Sequence, residues 1–334
     1  MCQTWALGVA RDLGVPCYVF HGFGAFALLC IERLYEHRPN EPFYVPALPP
    51  PLACRGLMTR QLPPHFMPPA SVGDRALQGM REFDVAADGV VVNTFEELER
   101  GSAALLAAAT GKKVVAVGSV ALCRSPGLDP HSMSDDAKRC MAWLDGKEPR
   151  SVVYVSFGSG GRMPPAQIMQ LGMALVSCPS PVLWLIKGAD SLPGDVKEWL
   201  CENTDDDGVA SSKCLVFINE RLIVDVLGIG VSVGVTKPTE NVFTAANAGG
   251  GSEAVVEAEV VGAEQVKKAL ETLMDQGPEG EERRKKAQDL KVEAKDALEE
   301  GGSSYNNLEN LTNPLLEAGH IHWRVGPAHV SVSP

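Results

Sequence analysis

Short runs of branched apolar residues, each leading into a stretch of helical character, recur along this 334-residue chain and constrain its fold most. Val15 to Phe20 reads as a strand before a buried helix over Phe23 to Tyr35. Asp88-Gly-Val-Val-Val92 reads as a second strand. It leads to a helix over Phe95 to Ala109, opened by a capping-box pattern of Thr94 and Glu97. Lys113 to Val120 is a third strand. The pattern restarts with a helix over Ala137 to Leu144, a strand over Ser151 to Phe157, a helix over Pro164 to Cys178 and a strand over Pro181 to Lys187. Cys214 to Phe217 is a further short strand, Asn219 to Leu227 is helical and Gly230 to Val235 is extended. Ala263 to Met274 and Glu281 to Glu300 are charged helices. Such alternation demands right-handed crossovers and a parallel sheet, the α/β class. Ahead of the first strand, Trp5, Val9 and Leu13 share one helical face, and Gly14 ends that helix.

The length is enough for about two domains. The polar, turn-forming stretch Arg124 to Asp136 marks the boundary, giving a first lobe over 1–125, a linker region over 126–150 and a second lobe over 151–311. Pro39 to Pro69 holds ten prolines in 31 residues, so it is a loop and no regular element. Asn247 to Val261, rich in Gly and Ala, is a loose insertion, and Glu281-Glu-Arg-Arg-Lys-Lys286 is a solvated face. Net charge is 30 − 42 = −12, which argues against a nucleic-acid partner. The longest clean apolar run, Phe23 to Ile31, has nine residues, where a membrane span needs about 20. No secretory leader pattern opens the sequence, and the nine cysteines include no C-x-x-C pair. A cytoplasmic protein with reduced thiols is expected. His320 and His322 lie close together without a Cys or carboxylate nearby, so no metal site is expected.

The sharpest local feature is Ser151-Val-Val-Tyr-Val-Ser-Phe-Gly-Ser-Gly-Gly161, followed by Met163-Pro-Pro165. A buried strand ends there in small residues just before a helix. In a parallel sheet such a junction lies at the carboxyl edge, where ligands sit. Gly158 and Ser159 would let a phosphate approach the backbone near a helix N-terminus, or the segment is a tight turn with no ligand.

Several segments resemble plant UDP-dependent glycosyltransferases. They are Trp143-Leu-Asp145, Ser151 to Ser159, Gln170-Leu-Gly-Met-Ala-Leu175, Pro181-Val-Leu-Trp-Leu185, Asn219 to Val231, Ala263 to Leu270 and Gly301-Gly-Ser-Ser304. Upstream, Val91-Val-Asn-Thr-Phe-Glu-Glu-Leu-Glu99 resembles the strand before the family's interdomain region. The resemblance covers residues 1 to about 310. It implies two Rossmann-like lobes of GT-B type, both incomplete here, with a UDP-sugar on the second lobe and a small lipophilic hydroxyl acceptor on the first. The sugar, glucose in the usual case, is a co-substrate, and no cofactor is implied. Phe20, His21 and Phe23 fall in what resembles an acceptor-pocket segment, and Gly158 and Ser159 beside the donor phosphates.

The departures from the family pattern are as informative. The family's catalytic histidine, a general base, and the aspartate that orients it both precede the point that Met1-Cys-Gln-Thr-Trp-Ala6 resembles. His21 is not that base by position, so no catalytic residue is assigned. The signature box that stacks on uracil and grips phosphates, ribose and sugar is missing between Val216 and Phe217. Thr312 to Pro334 is an off-pattern tail. The chain is therefore expected to be a weak or inactive UDP-glycosyltransferase. The alternative is a non-catalytic truncated product that binds small molecules or an intact relative.

Overall fold

A computed structural model of the chain describes residues 5–37, 75–123, 135–157, 163–186, 192–203, 220, 222–235 and 260–317. The loop at Pro39 to Pro69, the strand at Cys214 to Phe217 and the Val216–Phe217 junction lie outside the described residues, as do most of Arg124 to Asp136 and of Asn247 to Val261.

The first lobe alternates as expected. Helix α1 (Ala6–Leu13) leads to β1 (Tyr18–His21), α2 (Ala25–His37), α3 (Arg75–Ala86), β2 (Gly89–Val92), α4 (Ser102–Thr110) and β3 (Lys113–Ala116). The three strands form one parallel sheet in the order β1-β2-β3. Val19 pairs with Val90, and His21 with Val92. The apolar run becomes the first half of α2, where every residue from Ala25 to Ile31 is buried. A helix apolar on all sides belongs inside a core. Leu28 and Leu29 of α2 and Leu106 of α4 pack with Val90, Val92 and Ala116 on one face of the sheet.

Two expectations change at this level. Gly14 does end α1, in a left-handed conformation at φ 66°. The Trp5–Val9–Leu13 face, however, is turned to solvent, with Trp5 64% and Leu13 69% exposed. Ala6, Leu7 and Ala10 of α1 are the more enclosed residues, and Ala6 and Leu7 pack near Val19, Phe83 and Ala87. The capping box of Thr94 and Glu97 does not form. Residues 95–101 make successive turns, Gly101 has φ +77°, and the helix starts at Ser102. Glu97 instead accepts a hydrogen bond from Ser303 Oγ at 2.8 Å, so a partner distant in sequence has overridden the local pattern.

The second lobe holds α5 (Asp135–Asp145), β4 (Val153–Ser156), α6 (Pro165–Val176), β5 (Val182–Leu185) and α7 (Gly194–Asn203). Then come α8 (Ala263–Met274), α9 (Pro278–Asp296) and α10 (Ser303–Glu317). Strands β4 and β5 pair in parallel. Leu171, Ala174 and Leu175 of α6 and Val266 of α8 form the adjoining core, with Val155, Val182 and Trp184 packed against it. Leu222–Val226 forms a single π-helical turn. Gly230 to Val235 joins no sheet among the described residues. Helices α3 and α7 were not foreseen from the pattern, and α10 runs beyond Leu311, into the segment read as an off-pattern tail.

Helix α10 returns to the first sheet. Ser304 Oγ donates to the Gly118 carbonyl at 2.5 Å, and Asn307 Nδ2 to the Ala116 carbonyl at 3.0 Å. No disulfide joins the described cysteines, Cys17, Cys30, Cys123, Cys140, Cys178 and Cys201. No helix among the described residues is long and apolar enough to cross a membrane.

Candidate functional site

In a parallel sheet the loops after the strands gather at one edge, where ligands bind. Here that edge carries the turn 22–24 after β1, the segment 93–101 after β2 and residues 117–119 after β3. These three connections are held together by hydrogen bonds. Asn93 N–H donates to the His21 carbonyl at 3.1 Å, and Gly118 N–H to the Thr94 carbonyl at 2.7 Å. Asn93 Oδ1 accepts from Val120 N–H at 3.0 Å. Gly118 is required for this approach, because a Cβ there would come within 2.6 Å of the Thr94 backbone nitrogen.

The three residues expected on the acceptor side do not converge. His21 shares the face of Val92, since paired residues of parallel strands point the same way. Its ring lies 5.3 Å from that of Phe23, centroid to centroid. Phe20 points to the opposite face and is 56% exposed.

His21 also belongs to a charged cluster that sequence reasoning missed. Its Nε2 lies 3.5 Å from Asp84 Oδ1, an ion pair only when the imidazole is protonated. A cavity of about 150 Å³ beside them is lined by Glu32, Arg81, Asp84, Lys112, Leu28 and Leu106, among others. Arg81 donates to both oxygens of Glu32, at 2.5 and 2.7 Å, and its guanidinium lies 4.9 Å from the centre of the Tyr35 ring. Burial works against the Arg81 charge, but the Glu32 hydrogen bonds and the charges of Glu32 and Asp84 outweigh it and raise its pKa. Burial lowers the Lys112 ammonium, whose Nζ donates to the Asp84 carbonyl. Two carboxylates, Glu32 and Asp84, and two cations, Arg81 and Lys112, line this cavity, so their formal charges cancel.

Glu99 is a buried carboxylate outside this cavity, only 4% exposed. Its Oε2 accepts from Phe26 N–H at 3.1 Å, at the start of α2. Burial raises its pKa, against the opposing effect of the hydrogen bond from Phe26 N–H. One signal was available: Phe23-Gly24 offers α2 no side-chain oxygen, so the first N–H groups of a buried helix had to find an acceptor elsewhere.

On the second lobe, Gly158 and Ser159 lie outside the described residues. The flanking geometry is described: β4 ends at Ser156 and α6 begins with Pro165 after an extended Pro164. Gln167 in the first turn of α6 clasps Val261, donating from Nε2 to the carbonyl at 3.0 Å and accepting its N–H at Oε1 at 2.7 Å. Gln170 Oε1 accepts from Ala263 N–H at 2.9 Å. Among the described residues no group of three or more His, Cys, Asp or Glu is placed to hold a metal ion.

UDP-glycosyltransferase 73C6 of Arabidopsis thaliana is 30% identical over 376 aligned residues, which cover 95% of this chain and 73% of the relative. The chain belongs to the plant UDP-glycosyltransferase family. Abscisate beta-glucosyltransferase of Phaseolus angularis is also 30% identical, over 94% of this chain and 76% of the relative. Among solved structures, Glycyrrhiza uralensis UGT73P12, complexed with glycyrrhetinic acid 3-O-monoglucuronide, aligns with a TM-score of 0.75 at 25% identity, covering 95% of this chain and 72% of that one. No family model matches the chain. The α/β fold with parallel sheets is that of the plant GT-B glycosyltransferases, as the sequence resemblance implied.

Proposed function

We propose that this glycosyltransferase relative keeps an acceptor-side lobe and has lost most of its grip on the sugar donor. It binds small lipophilic hydroxyl compounds and transfers sugar weakly or not at all. The reaction it derives from moves a sugar, glucose in the first instance, from a UDP-sugar to an acceptor hydroxyl. The names of its relatives, a UDP-glycosyltransferase and an abscisate glucosyltransferase, support that donor and a small lipophilic acceptor. His21, Phe23 and Phe20 are assigned to the acceptor side, and Gly158 and Ser159 to the residual phosphate contact. The lobes divide as 1–125 and 151–311, around a linker region at 126–150, and the protein works in the cytoplasm.

The observation that carries this reading is the length of the alignment. It runs over 376 positions while the chain has 334 residues, so at least 376 − 334 = 42 positions of the relative face no residue here. A donor box cut out between Val216 and Phe217 would account for part of that difference. Losing a base stack and phosphate donors removes contacts worth about 1–3 kcal/mol each. The same observation favours the second reading, a non-catalytic product that binds small molecules or pairs with an intact relative.

Purified chain incubated with UDP-glucose and a panel of phenols, read by mass spectrometry, tests the proposal. It predicts no glycoside under conditions where the Arabidopsis relative forms one. Glycoside formation at a comparable rate, or saturable tight binding of UDP-glucose by calorimetry, overturns it. Finding the box in the messenger RNA at codons 216 and 217 would restore the active-enzyme reading.

A further inference from the structure

The first turn of α2 lacks an acceptor of its own. Gly22, Phe23 and Gly24 carry no side-chain oxygen, and the helix that follows is buried over its first seven residues, Ala25 to Ile31. Unpaired N–H groups at a buried helix end are costly. Glu99 supplies the acceptor from across the sheet edge: its Oε2 accepts from Phe26 N–H at 3.1 Å. The fit is mutual, because a Cβ at Gly24 would overlap the Glu99 carboxylate.

Glu99 is itself held in a segment that Glu96 closes on itself and that two other side chains tie to distant helices. Glu96 Oε1 accepts from Gly101 N–H at 2.7 Å, next to α4. Glu97 accepts from Ser303 on α10 at 2.8 Å, and Arg100 pairs with Glu293 on α9 at 3.1 Å. The 94–101 segment is thus anchored independently of α2, and it offers the carboxylate as a fixed point.

We infer that Glu99 is a positioning residue: through the N-terminus of α2 it fixes the turn Gly22–Gly24, and with it the placement of Phe23 beside the strand residue His21, toward an acceptor. The part of this inference that concerns the acceptor rests on the proposed function; the part that concerns the turn does not. Nothing in the geometry makes Glu99 touch a substrate. It acts by withholding freedom from a turn that contains two glycines.

The test is hydrogen exchange on the full 334-residue chain, together with calorimetric titration of the phenol 4-methylumbelliferone. Glu99→Ala is expected to speed exchange of the 22–26 amides at least tenfold and to weaken phenol binding at least tenfold. Exchange in α6 of the other lobe should stay within twofold. Glu99→Gln, which keeps one acceptor oxygen, is expected to recover most of the protection and the affinity. Gly24→Ala pushes the carboxylate away from the opposite side and should reproduce the Glu99→Ala pattern, so the test stands if one variant fails to fold. Unchanged exchange at 22–26 overturns the inference. So does an equal rise in α6, or a Glu99→Gln variant no better than Glu99→Ala. A wild-type chain that binds no phenol refutes the acceptor reading instead, and the exchange pattern still decides whether Glu99 holds the turn.

Discussion

The two sheets follow the same strand–helix grammar and bury their strands to different depths. In the first lobe, β2 is the central strand of three, with Val92 fully buried and Val90 nearly so. Helices α2 and α4 cover one face, and α10 docks against β3. In the second lobe, β4 and β5 are the only described strands, Tyr154 is 60% exposed, and every residue of β5 is half-buried. Parallel sheets are normally covered on both faces. Among the described residues, the second lobe is tied together by helix packing and side-chain clasps, while the first buries the central strand of its sheet.

The largest effect that tests this difference is a truncation in α2. Leu29→Ala, at a side chain 1% exposed, is expected to cost about 3–5 kcal/mol in urea unfolding. Leu183→Ala in half-buried β5 should cost no more than about half as much. Equal losses would break the comparison.

One packing prediction and one ion-pair prediction come next. A Cβ on Gly172 of α6 would lie 2.5 Å from the Trp199 ring of α7, so Gly172→Ala is expected to cost about 1–3 kcal/mol. Trp199→Leu should relieve the clash, and a double-mutant cycle measures the coupling. In the first lobe, Glu32→Gln removes the charge facing Arg81 in a partly buried pair and should cost about 1–3 kcal/mol. If the double-mutant cycle shows no coupling, the second lobe is not held by its helix contacts.

A pH effect separates the lobes further. The folded pKa of Glu99 is raised above its ordinary value of 4.5, mainly by burial. Its stabilising contribution is thus complete below that ordinary value and is lost as pH rises through the raised one. Glu99→Gln is expected to flatten the stability profile of the first lobe across that window and to leave α6 and α8 unaffected, as hydrogen exchange against pH would show. The smallest effect belongs to Arg100→Ala. Its side chain is 71% exposed, and the loss should stay below about 1 kcal/mol in thermal unfolding.

What could be read from the sequence was local. Gly14 as the end of α1, the buried start of α2 and the Val90–Val92 strand all follow from composition and periodicity within a few residues. The failures came where distant partners decide. The spacing of Thr94 and Glu97 is right for a capping box, yet Glu97 serves Ser303, which lies 206 residues away. The Trp5–Val9–Leu13 stripe is helical as predicted, but spacing does not say which face finds a neighbour. Within the site, His21 and Phe23 were singled out by resemblance. Glu32, Arg81, Asp84 and Lys112 were not, because their significance arises only when α2, α3 and the start of β3 are brought around one cavity.

The clasp of Gln167 on Val261 has a consequence for how this lobe tolerates change. The amide reads only a main-chain N–H and C=O, so it is blind to which side chain the clasped residue carries. Whatever length of chain arrives at that point is stitched to α6 in the same register. Insertions and deletions upstream of Val261 can therefore accumulate while α8 stays docked where it began.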